Sequence, residues 1–163
     1  MSSPASIMGH PIHPMLIPFP MALWVFSLIA DVVFLLGGDA AWKDWIAFYS
    51  LLGGIIGAAA AAVFGIIDWL SIKDPAVKRT ADWHARLNVI ALLIFAASFY
   101  LRTTAGSSWM GGSMTIPVSL SVVGVILITI SGYLGGELVF KHGVAVNPQS
   151  DTPTELKEKA RTT

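Results

Sequence analysis

The sequence predicts an all-α integral membrane protein: a four-helix bundle with a proline-rich N-terminal lead-in and a polar C-terminal tail. Three observations predict it. The 163 residues are 55% hydrophobic and only 12% charged, about half the charged share of a soluble domain. Four apolar stretches each reach the roughly 20 residues a helix needs to cross a bilayer core. No stretch reads as a strand, and helices satisfy backbone polar groups internally in lipid.

Composition also excludes several classes. The formal net charge is +0, so no basic surplus neutralises phosphates and nucleic acid is not an expected partner. The absence of cysteine removes disulfides, thiolate metal sites and cysteine nucleophiles. The opening MSSPASIMGHPIHP has no Lys or Arg ahead of the apolar run, and no cleavage site follows a short apolar core. A signal peptide is therefore not expected, and the first helix is expected to be retained.

The elements follow in order. Pro11, Pro14, Pro18 and Pro20 disfavour a regular helix through His10–His13, so an extended or re-entrant lead-in should fold back on the bundle. The first span is expected over about 15–36, stopping at Gly37-Gly38. The second is expected over about 45–70, and the third over about 83–103 with Asp82 as its N-cap. The fourth is expected over about 117–142, with Pro117 in its first turn and Gly143 just past its end. Residues 1–146 thus form one four-span domain. Residues 147–163, NPQSDTPTELKEKARTT, read as a mobile polar tail.

An even number of spans puts both termini on one side, with the loop between spans two and three. That side carries Lys73, Lys78, Arg79, Arg86, Lys141, Lys157, Lys159 and Arg161, against Lys43 and Arg102 on the other. The positive-inside rule then predicts cytoplasmic termini. Trp42, Trp45, Trp69, Trp83 and Trp109 lie near span ends, where indoles anchor at the interface; Trp24 sits deeper. Gly53, Gly57, Ala61 and Gly65 form one small-residue ladder, and Gly54, Ala58 and Ala62 a second. Gly132 and Gly136 repeat the pattern in span four. Such faces allow close helix approach inside the bundle, or in a homodimer.

Ionisable groups inside spans are costly and tend to be paired or functional. Asp31 lies about 9 Å inside the end opposite the termini, and Arg102 ends span three on that side; an ion pair or a proton relay through Asp31 are the two expectations. Asp68 lies level with the histidines. It is expected to orient an imidazole by accepting its ring N–H or to pair with Arg86 or Lys73. Glu137 and Lys141, four residues apart, are expected to pair on one helix face. Asn88 shares the face of His84.

All four histidines, His10, His13, His84 and His142, fall on the terminal side. Imidazole is the commonest protein ligand for metals and haem iron. Three alternatives follow. The imidazoles are interfacial hydrogen-bonding and capping groups; or two of them ligate haem b, as helical bundles allow; or several bind a Zn, Cu or Fe ion with Asp68 or Glu137. His84 and His142, on bundle helices, are the first expected ligands, with His10 or His13 as alternatives and Asp68 and Asn88 beside them. No catalytic residue set stands out.

The motifs GHPIHPMLIPFP, DWHARLN and GGELVFKHGVAV, with Asp31 in LWVFSLIADVVF and Asp68 in GIIDWL, resemble a family of bacterial four-span membrane proteins catalogued as domain of unknown function 2231. The resemblance covers about residues 8–146. It implies a bacterial inner (cytoplasmic) membrane location, with signature histidines at His10, His13, His84 and His142 and carboxylates at Asp31 and Asp68. Some relatives are joined to Rieske-type iron–sulfur domains. That implies a redox setting and, in this chain, a separate redox partner protein. The expected function is haem or metal binding that assists electron transfer; the alternative is a non-catalytic membrane scaffold with structural histidines.

Overall fold

A computed structural model of the chain describes residues 3–104 and 114–146. Four helical segments are long and apolar enough to cross a membrane: Ile12–Leu35, Trp42–Ser71, Pro75–Thr104 and Thr115–Phe140. They comprise α1 (Ile12–Leu16) and α2 (Pro18–Leu35), a π-helical turn (Trp42–Ala47) running into α3 (Phe48–Ser71), then α4 (Pro75–Thr104) and α5 (Thr115–Phe140). Each long helix packs on the next, and α5 closes back on α2. Trp109 and the tail at 147–163 lie outside the described residues.

The lead-in folds back on the bundle as expected, but as a hairpin followed by a short helix. Ser6–Ile7 (β1) and His10–Pro11 (β2) form a two-stranded antiparallel hairpin. Met8 and Gly9 at its tip have φ of 52° and 80°, the left-handed pair that a two-residue hairpin turn requires. His13 lies within a helix, not an extended segment. Pro14 falls in the first turn of α1, where a missing N–H has no intrahelical partner to lose. The helical path breaks only at Ile17, before Pro18 opens α2.

The third span also begins earlier than expected. Asp82 is inside α4 and accepts the Trp69 indole N–H at 2.7 Å, so it is not the N-cap. The capping carboxylate is Asp74, whose Oδ1 accepts the backbone N–H groups of Ala76 at 2.8 Å and Val77 at 3.3 Å. At the far end of α5, Gly143 at φ +60° turns the chain so that Val144 N–H donates to Leu138 O at 2.9 Å.

Two clusters form the core. Midway along the bundle, Trp24 and Phe95 stack with ring centres 4.1 Å apart, among Leu51, Ala91 and Ile128. Nearer the termini, Ile72, Val77, Ala81 and Leu138 pack together. Outside, Phe19, Ile56, Val63, Leu93, Ile126 and Tyr133 are exposed. Apolar exposure on that scale suits lipid, not water. Towards the end opposite the termini, Arg102 donates two hydrogen bonds to Asp31, at 2.8 and 2.6 Å. Both side chains are buried, and Ser98 and Ser121 hydroxyls accept further N–H groups of the guanidinium.

Candidate functional site: an imidazole pair

The hairpin turns the N-terminus back so that Ile12 N–H donates to Ala5 O at 3.0 Å. That anchors α1 beside α3 and carries the His13 ring into the bundle. His13 Nδ1 lies 2.8 Å from Ala61 O on α3. His84 enters from α4, and its Nδ1 lies 2.9 Å from Ser131 O on α5. A carbonyl oxygen only accepts, so each Nδ1 carries a proton. In a neutral ring this leaves the lone pair on Nε2.

Both carbonyls are reachable for the same local reason. A helix carbonyl points towards the residue four positions on, whose Cβ would crowd it. Four residues after Ala61 is Gly65, and four after Ser131 is Gly135. A Cβ on Gly65 would sit 2.7 Å from His13 Cε1, and one on Gly135 3.1 Å from His84 Cε1. These two glycines therefore seat imidazoles. In the same helix, Gly54 seats the Trp24 indole. Two positions of the small-residue ladder, Gly54 and Gly65, thus receive rings, where the sequence suggested helix backbones.

The two imidazoles have ring centres 6.4 Å apart and planes at 89° to each other. Polar groups gather on the His84 side. The Asn88 amide donates to Ser131 Oγ at 2.8 Å and to His84 O at 2.9 Å, and lies 3.0 Å from His84 Nε2. Ser131 Oγ is also 3.1 Å from His84 Nδ1. On the His13 side, the residue at the place of Asn88 in the helix is Ile17, one turn after His13.

The other named residues lie elsewhere. His10 is exposed on the hairpin, with Nδ1 3.1 Å from Met8 O. His142 follows α5, its backbone N–H donating to Glu137 O at 3.2 Å. Asp68 is buried and accepts the Ser3 hydroxyl at 2.5 Å, which ties down the N-terminal segment. Glu137 pairs with Lys141 on the surface. Among the described residues, no three His, Cys, Asp or Glu side chains are grouped as a metal ligand set. Ala61, Ser131, Gly65 and Gly135 did not stand out as site residues in the sequence. Their signal was a glycine one turn after a small residue on a helix that faces a histidine.

A family model described as "Predicted membrane protein (DUF2231)" matches residues 9–148. The chain belongs to this family. The matched DUF2231 region runs from the hairpin tip past the end of α5, so it contains both imidazoles and both carbonyls that hold them. No curated protein and no solved structure matches the chain.

Proposed function

We propose that this DUF2231 protein holds one haem b between His13 and His84, on the cytoplasmic side of the bacterial inner membrane, and relays electrons to a separate redox protein. The separation of the two rings is the observation that supports it above the rest. Metal–imidazole bonds are about 2 Å long, and a ring centre lies about 1 Å behind its nitrogen, so two rings flanking one metal ion have centres about 6 Å apart. The observed distance is 6.4 Å.

The donor set fits this group better than a bare ion. Zinc or copper takes three or four protein ligands, whereas a porphyrin brings four nitrogens and needs two. Each imidazole already has Nδ1–H on a backbone carbonyl, the kind of bond that orients a ligating histidine and raises its basicity. Ligation by His84 requires the Asn88 amide to leave Nε2, and its bonds to Ser131 Oγ and His84 O can stay. A bound haem would supply one-electron chemistry between ferric and ferrous iron. Gly65 and Gly135 leave room for the two rings beside α3 and α5.

Orientation is supported by exposure. Lys73, Arg79, Arg86 and Lys141 are exposed on the terminal side. Lys43 and Arg102, on the other, are both buried. Positive charge facing solvent thus gathers with the imidazoles, as for a cytoplasmic face.

The test is a reduced-minus-oxidised absorption spectrum of the full chain, purified in mild detergent from haem-replete cells. A Soret band is expected, lost in His13→Ala and His84→Ala and kept in His10→Ala and His142→Ala. A colourless protein without stoichiometric iron overturns the proposal. The second reading, a scaffold pinned by its imidazoles, is favoured by the Nδ1–carbonyl bonds alone. It expects both central substitutions to lower stability in a protein that never bound haem.

A further inference from the structure

The site is surrounded by coincidences of spacing. Adding 71 to a residue number on the first helix takes His13 to His84, Pro20 to Ala91, Trp24 to Phe95, Ser27 to Ser98 and Asp31 to Arg102. Adding 70 on the second helix takes Ala47 to Pro117, Leu51 to Ser121, Gly54 to Gly124, Ala61 to Ser131, Gly65 to Gly135 and Asp68 to Leu138. Apart from the two histidines, Gly65 and Gly135, all of these residues are buried, and those four are partly buried.

The contacts repeat with the positions. Ser27 donates to Ala47 O at 2.8 Å, and Ser98 to Pro117 O at 2.9 Å. His13 bonds Ala61 O and His84 bonds Ser131 O. A Cβ on Gly54 would meet the Trp24 ring at 2.4 Å, and one on Gly124 the Phe95 ring at 2.6 Å. Gly65 and Gly135 seat the two imidazoles in the same way. Four contact types and their order along both helices agree, which chance resemblance of apolar helices does not supply.

Three of the repeated positions also meet each other. His13 faces His84, Trp24 stacks on Phe95, and Asp31 pairs with Arg102. Halves that meet through the same face, equivalent residue against equivalent residue, are related by a two-fold axis, whereas stacked repeats meet through opposite faces. We infer that the chain is a tandem repeat of one two-helix unit, and that its His13–His84 pair lies on the pseudo-two-fold axis as one site shared by both halves. The site is two-sided by construction, so a ligand there presents like chemistry to each half. Haem, which two imidazoles could hold, is of that class; naming it rests on the function proposed above, whereas the repeat does not.

Reciprocal exchange across the axis tests the repeat in the full chain. Asp31→Arg or Arg102→Asp alone buries two like charges and should lower the melting temperature in detergent by about 10 °C or more. The double variant D31R/R102D should regain at least half of that loss, and W24F/F95W should melt closer to the parent than Trp24→Ala. Doubles no more stable than the worse single overturn the repeat. His13→Ala and His84→Ala test the shared site: both should cut bound haem at least tenfold. Loss with only one of them overturns the sharing. Protein that binds no haem in any form removes the haem function and its shared ligand, and the exchange variants still decide the repeat.

Discussion

Asp31 and Arg102 show what a buried charge does when its partner is removed. Each sits in the span interior with two hydrogen bonds between them. Arg102→Met leaves a carboxylate with no counter-charge, and cutting one partner of a buried pair costs about 3–5 kcal/mol. Replacing both, as in D31L/R102M, removes the unpaired charge and should cost less than Arg102→Met alone. A double-mutant cycle of melting temperatures checks this. By contrast, Lys141→Ala should leave the melting temperature unchanged, because the Lys141–Glu137 pair lies at the surface and exposed pairs contribute little. Glu137 holds the Lys141 ammonium pKa above its usual range, which strengthens retention of a charge that is already present at neutral pH.

At the scale of the helix, glycine decides how near a ring comes. Gly65→Ala would bring a methyl group 2.7 Å from His13 Cε1, and Gly135→Ala one 3.1 Å from His84 Cε1. Overpacking of this kind costs about 1–3 kcal/mol, so both variants should melt lower, Gly65→Ala more than Gly135→Ala. Asp74→Ala removes the acceptor for two first-turn N–H groups. It should cost about 1 kcal/mol, and faster amide exchange over the first turn of α4 would report the fraying. The existence of each span was legible in hydropathy, but the start of α4 was not. Apolarity marks where lipid begins, whereas α4 begins at Pro75 and carries Lys78, Arg79 and Asp82 as polar helix ahead of the apolar part. The hairpin was hidden for another reason. Its strands are two residues each, too short for any alternation to be seen.

For the whole molecule, the site depends on which helices close the bundle. Side chains from α1, α2 and α4 meet across it, so the sequence placed four imidazoles on one side without saying which two face each other. His84 and His142 stood out because both flank bundle helices, while the hairpin that turns His13 inward left no pattern. The repeat was obscured because its axis positions keep size and depth but change chemistry: Trp against Phe, Asp against Arg, Leu51 against Ser121. The serine, histidine and glycine matches are too sparse to register without the contacts. Asn88→Ile with Ser131→Ala would make the polar half resemble the other. If haem is bound, that double variant should retain it, because Nδ1 keeps its backbone acceptor at Ser131, but shift its midpoint potential, since hydrogen bonding near the ligand is one of the protein's levers. Redox titration of the Soret band reads that shift.

The Asp31–Arg102 pair also sets a matching rule between the two halves. Were both axis positions aspartate, or both arginine, two identical hairpins meeting there would repel. A first hairpin is therefore ill-suited to another first hairpin, and a second to another second. Because α2 and α3 precede α4 in the chain, Asp31 is made before its counter-charge. A lone carboxylate at that depth is expensive, and the arrival of Arg102 relieves it. The same two residues thus favour assembly within one chain, in the order in which the ribosome delivers it.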